Sequence, residues 1–230
     1  MKKRIFSLLI SIGLLFTACE VTTEDVSIIT QFLDFELLGD EVIYHPKGTP
    51  FEDPGYIALQ NGEDANEKVE IKGEVNINAG GAYTLSYTAL NDEGFGNTYN
   101  RTIYVYDPTP SPIEPGIHIT SADSYIDTGS SNVAYQIDCP IVIFQIEPSV
   151  YYISDFLGGF YSYRQGYGDA YGMKGTFRLN SDNSITVLTA GVQAWGDTMD
   201  EMIDGKYNPA TEEPTWGVDY VGYVFNVIIK

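Results

Sequence analysis

Apolar and polar residues alternate along much of the N-terminal half of the chain, with the period of two that is typical of half-buried strands. Three stretches show the pattern: residues 69–77, 82–88 and 99–106. In the second of them Tyr83, Leu85 and Tyr87 share one face, and the turn sequence at 91–94 separates it from the third. Short strands and frequent turns without a helical period predict a β-sandwich over residues 26–106.

The C-terminal half also has the pattern of strands. Residues 141–146 are an apolar run suited to a strand covered on both faces, and residues 176–188 read as a β-hairpin around a polar turn at 180–183. Nearly every position of 220–229 is apolar, which predicts a central strand. The fold class predicted is therefore all-β, with a second antiparallel sandwich or barrel-like domain over 117–230.

One short helix is expected at residues 197–205. Asp197 is a good N-cap, apolar residues stand at 199, 202 and 203, and Gly205 follows as a C-terminal signal. Its acidic residues would then form a solvated face, an interpretation we favour over a metal site.

Between the two halves, residues 107–116 contain four prolines. Proline-rich segments are extended and semi-rigid, so this stretch predicts a linker at the domain boundary.

The N-terminus has the organisation of an export signal. Basic residues 2–4 precede a twelve-residue apolar run, Ile5–Phe16, which is shorter than the roughly 20 residues of a membrane-spanning helix. The end of this run resembles a bacterial lipobox, which implies a lipoprotein signal peptide over 1–18 and lipidation of Cys19. An ordinary secretory leader is the alternative.

The tether at 19–25 is acidic and is similar to the surface-export signal of Bacteroidetes lipoproteins. That resemblance implies an outer-membrane lipoprotein, anchored in the membrane by its lipid, and favours the cell surface over the periplasmic side.

Two resemblances to known families cover most of the mature chain. Residues 48–58, 80–87 and 101–107 resemble a bacterial Ig-like domain of Bacteroidetes surface proteins, which implies a stalk or spacer. Residues 155–161, 194–197 and the closing strand resemble the C-terminal domain of uncharacterised Bacteroides lipoproteins. Those lipoproteins tend to accompany glycan-uptake systems, so the resemblance implies a role near glycans without naming one.

Charge and reactive residues exclude several classes of function. With 32 acidic against 12 basic residues the formal charge is −20, which disfavours nucleic acid and anionic lipid as partners. Two histidines and two cysteines supply no metal motif, and Cys139 lies in a strand-like setting that predicts a buried apolar role. Asp53 and Asp92 are expected to stabilise turns and not to bind calcium. We therefore expect no cofactor, no metal and no enzymatic activity, although acid-pair glycoside hydrolysis stays open with so many carboxylates.

Tyrosine is unusually abundant, with 18 residues against 11 phenylalanines and 2 tryptophans. Four of them lie in the glycine-rich segment 158–172, which predicts a loop that presents aromatic rings. Sugar rings stack on such rings, so the candidate glycan-binding residues are Tyr163, Tyr167, Tyr171, Trp195 and Trp216. Packing in the core is the structural alternative. The same aromatic surface would also suit protein partners in the outer membrane, in a structural or assembly role.

Overall fold

The computed structural model describes residues 30–230 and contains two β domains. The predicted signal peptide, Cys19 and the tether lie outside the described residues. The first domain has seven strands: β1 (Asp34–Leu37), β2 (Val42–Pro46), β3 (Tyr56–Gln60), β4 (Glu63–Asp64), β5 (Val69–Lys72), β6 (Gly81–Leu90) and β7 (Gly96–Tyr106). They form two sheets, in the orders β1-β3-β4 and β2-β7-β6-β5. All pairs are antiparallel except β2 with β7.

The core of the first domain comes from the alternation that the sequence displays. Leu85 and Tyr87 on β6 and Ile103 and Val105 on β7 all point between the two sheets and are buried. Strand β5 stops at Lys72, where its pairing with β6 ends, so the strand expected over 69–77 is shorter than its pattern.

An ion pair joins β7 to the segment that precedes β3. Arg101 is fully buried and pairs with Asp53, whose other carboxylate oxygen accepts a hydrogen bond of 2.6 Å from the Tyr87 hydroxyl. Burial and the Asp53 carboxylate raise the pKa of Tyr87 to about 12. Asp53 therefore has a structural role, and Asp92 pairs at 2.6 Å with Lys68.

The second domain is a sandwich of two five-stranded antiparallel sheets. Its strands are β8 (Gly116–Thr120), β9 (Tyr125–Asp127), β10 (Asn132–Ala134), β11 (Cys139–Glu147), β12 (Val150–Ile153), β13 (Met173–Leu179), β14 (Ile185–Val192), β15 (Glu201–Asn208), β16 (Glu213–Tyr220) and β17 (Tyr223–Ile228). The sheet orders are β10-β9-β17-β16-β15 and β14-β13-β12-β11-β8. Single bridges, Thr120 with Ile229 and Ser184 with Lys206, connect the two sheets, so the sandwich is partly closed like a barrel. The predicted all-β class and the hairpin at 176–188 are confirmed.

The prediction of a helix at 197–205 is wrong. Asp197 bridges to Val192, and the chain continues as strand β15 from Glu201, paired with β16. A nine-residue helix is marginal by itself, and pairing along β16 satisfies the same backbone groups while Met202 still packs on the core.

The closing segment is a hairpin and not one continuous strand. Val221 and Gly222 turn the chain between β16 and β17. Strand β17 is the middle strand of its sheet, as the apolar run predicted, because it pairs with both β9 and β16, and its Phe225 and Val227 face the core.

The proline-rich linker packs against the second domain. Gln145 donates from its amide nitrogen to the Thr109 carbonyl at 3.1 Å, Ile113 is buried in the core, and Tyr207 donates to the Pro112 carbonyl at 2.9 Å. It is therefore an anchored segment and not a free spacer.

The two domains also contact each other directly. Lys47 pairs with Asp107 at 2.7 Å and donates to the Ile146 carbonyl at 3.0 Å. Phe144, on the outer face of its sheet, is fully buried against Tyr104 of the first domain, with ring centroids 5.2 Å apart. Among residues 30–230 no helix has the length and hydropathy to cross a membrane.

The chain enters and leaves the first domain at opposite ends. The carbonyl of Gln31 accepts a hydrogen bond from Asn91, in the turn between β6 and β7. Strand β7 then runs from that turn to Tyr106 at the linker. The start of the described chain is thus separated from the second domain by the length of β7, about 36 Å for eleven residues.

Candidate functional site

Four aromatic rings meet at one end of the second domain and are called here the aromatic cluster: Tyr161, Tyr167, Tyr171 and Trp195. The Trp195 ring stands edge-on to Tyr161 at 4.9 Å and to Tyr171 at 5.0 Å between centroids. Tyr167 stacks near Tyr161 at 6.1 Å and meets Tyr171 at 5.4 Å. These separations lie in the range in which aromatic pairs attract, so the rings hold one another in place.

Two loops supply the cluster, and strand pairing brings them together. Met173, which follows the loop 155–172, pairs with Val192, which precedes the turn that carries Trp195. The Ala194 amide donates to the Ala170 carbonyl at 3.0 Å, which joins the loops directly. The linker enters near Gln145 at the other end of β11, so the cluster lies at the end of the domain away from it.

A single π-helical turn, Phe160–Arg164, orients the tyrosines of the first loop. It buries Phe160 and Ser162, leaves Tyr161 half-buried against Phe225, and turns Tyr163 outward. The turn is preceded by Gly159, which has φ +83° and where a Cβ would lie 2.5 Å from that of Cys139. Only glycine fits this position, so the glycines of the segment serve the loop's close approach to β11.

Asp155 organises the loop from inside. Its carboxylate is buried and accepts four hydrogen bonds of 2.8–3.1 Å, from the amides of Leu157, Gly159 and Met173 and from the Ser162 hydroxyl. Burial raises the pKa of Asp155, and the four donors oppose that shift. Asp155 therefore positions the aromatic cluster without being able to reach a ligand.

The cluster combines exposed ring faces with nearby polar groups. Tyr167 is 54% and Trp195 43% exposed, while Tyr161 and Tyr171 are half-buried. The turn that carries Trp195 also borders a shallow cavity of about 450 Å³, lined by Gln193, Asp197 and Thr198 among others and not by the Trp195 ring. Asp197 accepts a hydrogen bond of 2.9 Å from Tyr220, which fixes its carboxylate at the rim. Burial, with Tyr167, Tyr223 and Asp197 nearby, raises the pKa of Tyr161, so its hydroxyl stays neutral.

The structure brings three of the five predicted residues together, namely Tyr167, Tyr171 and Trp195. Tyr163 is 51% exposed, but within residues 30–230 its ring pairs with no other aromatic ring. Trp216 is a correction: it is 3% exposed, donates from Nε1 to the Phe156 carbonyl at 2.8 Å, and packs edge-on against Phe156. It belongs to the core because it faces inward on β16, as the alternation along that strand requires.

Sequence reasoning missed Asp155 and Asp197 as parts of this site. The signal for Asp155 was an acidic residue at the end of a strand followed by Gly158 and Gly159, a combination typical of a turn held by the side chain. The sequence around Asp197 predicts a helix cap, and the contact of Asp197 with Tyr220 depends on the pairing of β15 with β16.

Other candidate chemistry is sparse in the described part of the chain. Residues 30–230 contain no group of three or more histidine, cysteine, aspartate or glutamate side chains placed to bind a metal. Cys139 is buried, and burial raises the pKa of its thiol, which suits the predicted structural role.

Comparisons with known proteins agree with this architecture. A family of bacterial surface proteins with an Ig-like domain matches residues 35–105, and a BT2262-like C-terminal domain family matches residues 113–230. Neither description names a catalytic activity. A comparison with curated proteins gives no match.

The solved structures that are similar to the chain include the lipoprotein BT2262 from Bacteroides thetaiotaomicron. It is 48% identical, with 86% of this chain and all of that chain covered and a TM-score of 0.74. Both resemblances drawn from the sequence are confirmed, and similarity to a lipoprotein supports association with the cell envelope. The chain belongs to the family of BT2262-like Bacteroides lipoproteins, in which a bacterial surface Ig-like domain precedes this C-terminal β domain.

Proposed function

We propose that the protein is a non-catalytic lipoprotein, anchored through Cys19 on the outer surface of the outer membrane, that binds glycans at the aromatic cluster. The observation that carries the proposal is the arrangement of Trp195 and Tyr167. Both rings are about half exposed, both are held by edge-on neighbours, and Gln193, Asp197 and Thr198, close to Trp195 along the chain, supply amide, carboxylate and hydroxyl groups. Rigid ring faces receive the C–H face of a sugar, and the polar rim satisfies its hydroxyls.

The position of the cluster supports this function. The described chain starts at one end of the first domain, the linker leaves at the other, and the cluster lies at the end of the second domain opposite the entry of the linker. A lipid anchor at Cys19 would therefore place the binding surface away from the membrane, with the Ig-like domain as the stalk.

The test is affinity electrophoresis of the purified protein in gels that contain single neutral or acidic polysaccharides. We expect at least one neutral polysaccharide to retard the protein. Trp195→Ala and Tyr167→Ala are expected to weaken that retention at least about tenfold, the equivalent of about 1.4 kcal/mol for a lost stacking contact.

Phe95→Ala is the matched control, because Phe95 is 55% exposed and lies in the turn of the first domain far from the cluster. Thermal melting of each variant shows whether the fold is retained. Unretarded migration in every polysaccharide gel would reject glycan binding. The structural or assembly role would then be tested by a pull-down of envelope proteins with the purified protein and with its Trp195→Ala variant.

A further inference from the structure

A second pocket lies away from the aromatic cluster, on the outer face of the sheet β10-β9-β17-β16-β15. It has a volume of about 240 Å³, and Gly217 forms part of its floor. A Cβ at Gly217 would lie 3.2 Å from that of Ile203 and 3.3 Å from the Val224 methyl group, so the depression exists because no side chain fills it. Tyr220, at the end of β16, contacts Asp197 in the turn that carries Trp195. Thr215 lies five residues from Tyr220 along β16, so the pocket is about 17 Å from this end of the strand.

One wall of the pocket is an irregular edge strand. The pairing of β15 with β16 shifts register between Ile203 and Lys206, which is a β-bulge. Within it Asp204 has φ +48°, a left-handed conformation that costs free energy for a residue other than glycine. Bulges commonly re-aim side chains next to binding sites, and this one turns Asp204 and Lys206 to the pocket.

The polar groups of the lining are free to bind. Among residues 30–230 the Lys206 ammonium, the Asp204 carboxylate and the hydroxyls of Thr215 and Tyr125 have no side-chain hydrogen bond or ion pair. Asn226 donates to the Val224 carbonyl at 3.3 Å, which leaves its amide oxygen available. The rest of the lining includes the apolar side chains of Ile203 and Ile228.

This lining is complementary to a sugar ring. An ammonium only donates and a carboxylate only accepts, and a hydroxyl is the group that satisfies both. The apolar side chains and the Tyr125 ring suit the C–H face of a pyranose. The volume lies below the roughly 300–1,000 Å³ of ordinary ligand pockets, which fits a single ring. Asp204 and the overall charge of −20 disfavour an anionic ligand.

We propose that this pocket is a second binding site, specific for one neutral monosaccharide unit of a glycan. It is independent of the aromatic cluster, since no residue of the cluster lines it. Thr215, Asn226 and Lys206 bind the hydroxyls, and Gly217 leaves the space for the ring.

Saturation-transfer NMR on the purified protein tests the site, with the methyl glycosides of glucose, galactose, mannose and xylose as probes and methyl glucuronide as the anionic comparator. We expect saturation transfer to at least one neutral glycoside. Asn226→Ala and the nearly isosteric Thr215→Val should each raise its dissociation constant at least tenfold, and Trp195→Ala should leave that constant unchanged. Circular dichroism confirms that each variant is folded.

Two results would overturn the proposal: no transfer to any neutral glycoside, or transfer that Trp195→Ala removes and Asn226→Ala leaves intact. Equal binding of the glucuronide would overturn its restriction to neutral sugars. Glycan binding by the aromatic cluster is tested separately, by the retention of the protein in polysaccharide gels, because the variants of the two sites change different residues.

Discussion

At the residue scale, the buried carboxylate of Asp155 does the most to position the aromatic cluster. It receives four donors from a loop whose only regular structure is two short helical turns, Phe160–Arg164 and Asp169–Tyr171. Buried donors that lose their acceptor cost about 1–3 kcal/mol each, so one side chain controls the free energy of the whole loop.

Asp155→Asn is expected to lower the free energy of unfolding by about 2–3 kcal/mol. The asparagine NH2 group would replace one carboxylate oxygen and would face the donors that this oxygen now accepts from. Urea unfolding followed by circular dichroism measures the change. The control is Asp169→Asn in the same loop, an exposed residue paired with Lys174, for which a change under about 1 kcal/mol is expected. Equal stability of the two variants would contradict the role assigned to Asp155.

At the scale of elements, the turn between β16 and β17 carries strain. Val221 and Gly222 both have positive φ, +51° and +80°, which is the geometry of a tight hairpin turn. Glycine adopts it freely, but a β-branched residue does not, and Val221 is 53% exposed with little packing to compensate.

Val221→Asn is therefore expected to raise the free energy of unfolding by about 1 kcal/mol, since asparagine tolerates the left-handed region. Thermal and urea unfolding measure it. Val221→Ile, which keeps the β-branch, should leave stability unchanged, and a loss of stability with asparagine would show that Val221 makes a contact worth more than the strain.

The same hairpin shows how far sequence reasoning reaches within an element. The apolar run 220–229 correctly predicted a central strand, although only one face of β17 is fully buried and the other is partly exposed. It did not reveal the turn, since valine is a poor turn residue and Gly222 alone is a weak signal. The helix expected at 197–205 failed for a related reason: local capping signals lost to pairing with β16, a partner distant in sequence from the cap.

At the scale of the whole molecule, the ion pair of Lys47 with Asp107 ties the two domains at the linker. Burial acts to raise the pKa of Asp107, but hydrogen bonds from Lys47 and Thr109 lower this pKa to about 2. A carboxyl group with a lowered pKa stabilises the folded state above its unfolded pKa of about 3.9 and loses that contribution as the pH falls towards its folded value.

The free energy of unfolding is therefore expected to include a component that is constant above about pH 4 and disappears between about pH 4 and 2. Lys47→Met should lower the free energy of unfolding at pH 6. The difference in stability between this variant and the unmodified protein should then shrink as the pH falls from about 4 to 2. Urea titrations from pH 2 to 6 measure both, with Lys72→Met, an exposed lysine of the first domain, as control. Curves that stay parallel down to pH 2 would contradict the assignment.

The sequence by itself determined the fold class, the two-domain order, the family and the prediction that aromatic residues of 158–172 form a surface loop. These follow from local information: the period of strands, the composition of a linker, and motifs that occur in order along the chain. Only the tertiary structure decided that Trp216 belongs to the core and Trp195 to the surface, that the linker is anchored, and that Tyr167, Tyr171 and Trp195 meet. Those outcomes depend on which strands pair and which face of each strand is covered. Pairing partners are often far away in sequence, and a local pattern does not identify which partner covers a given face.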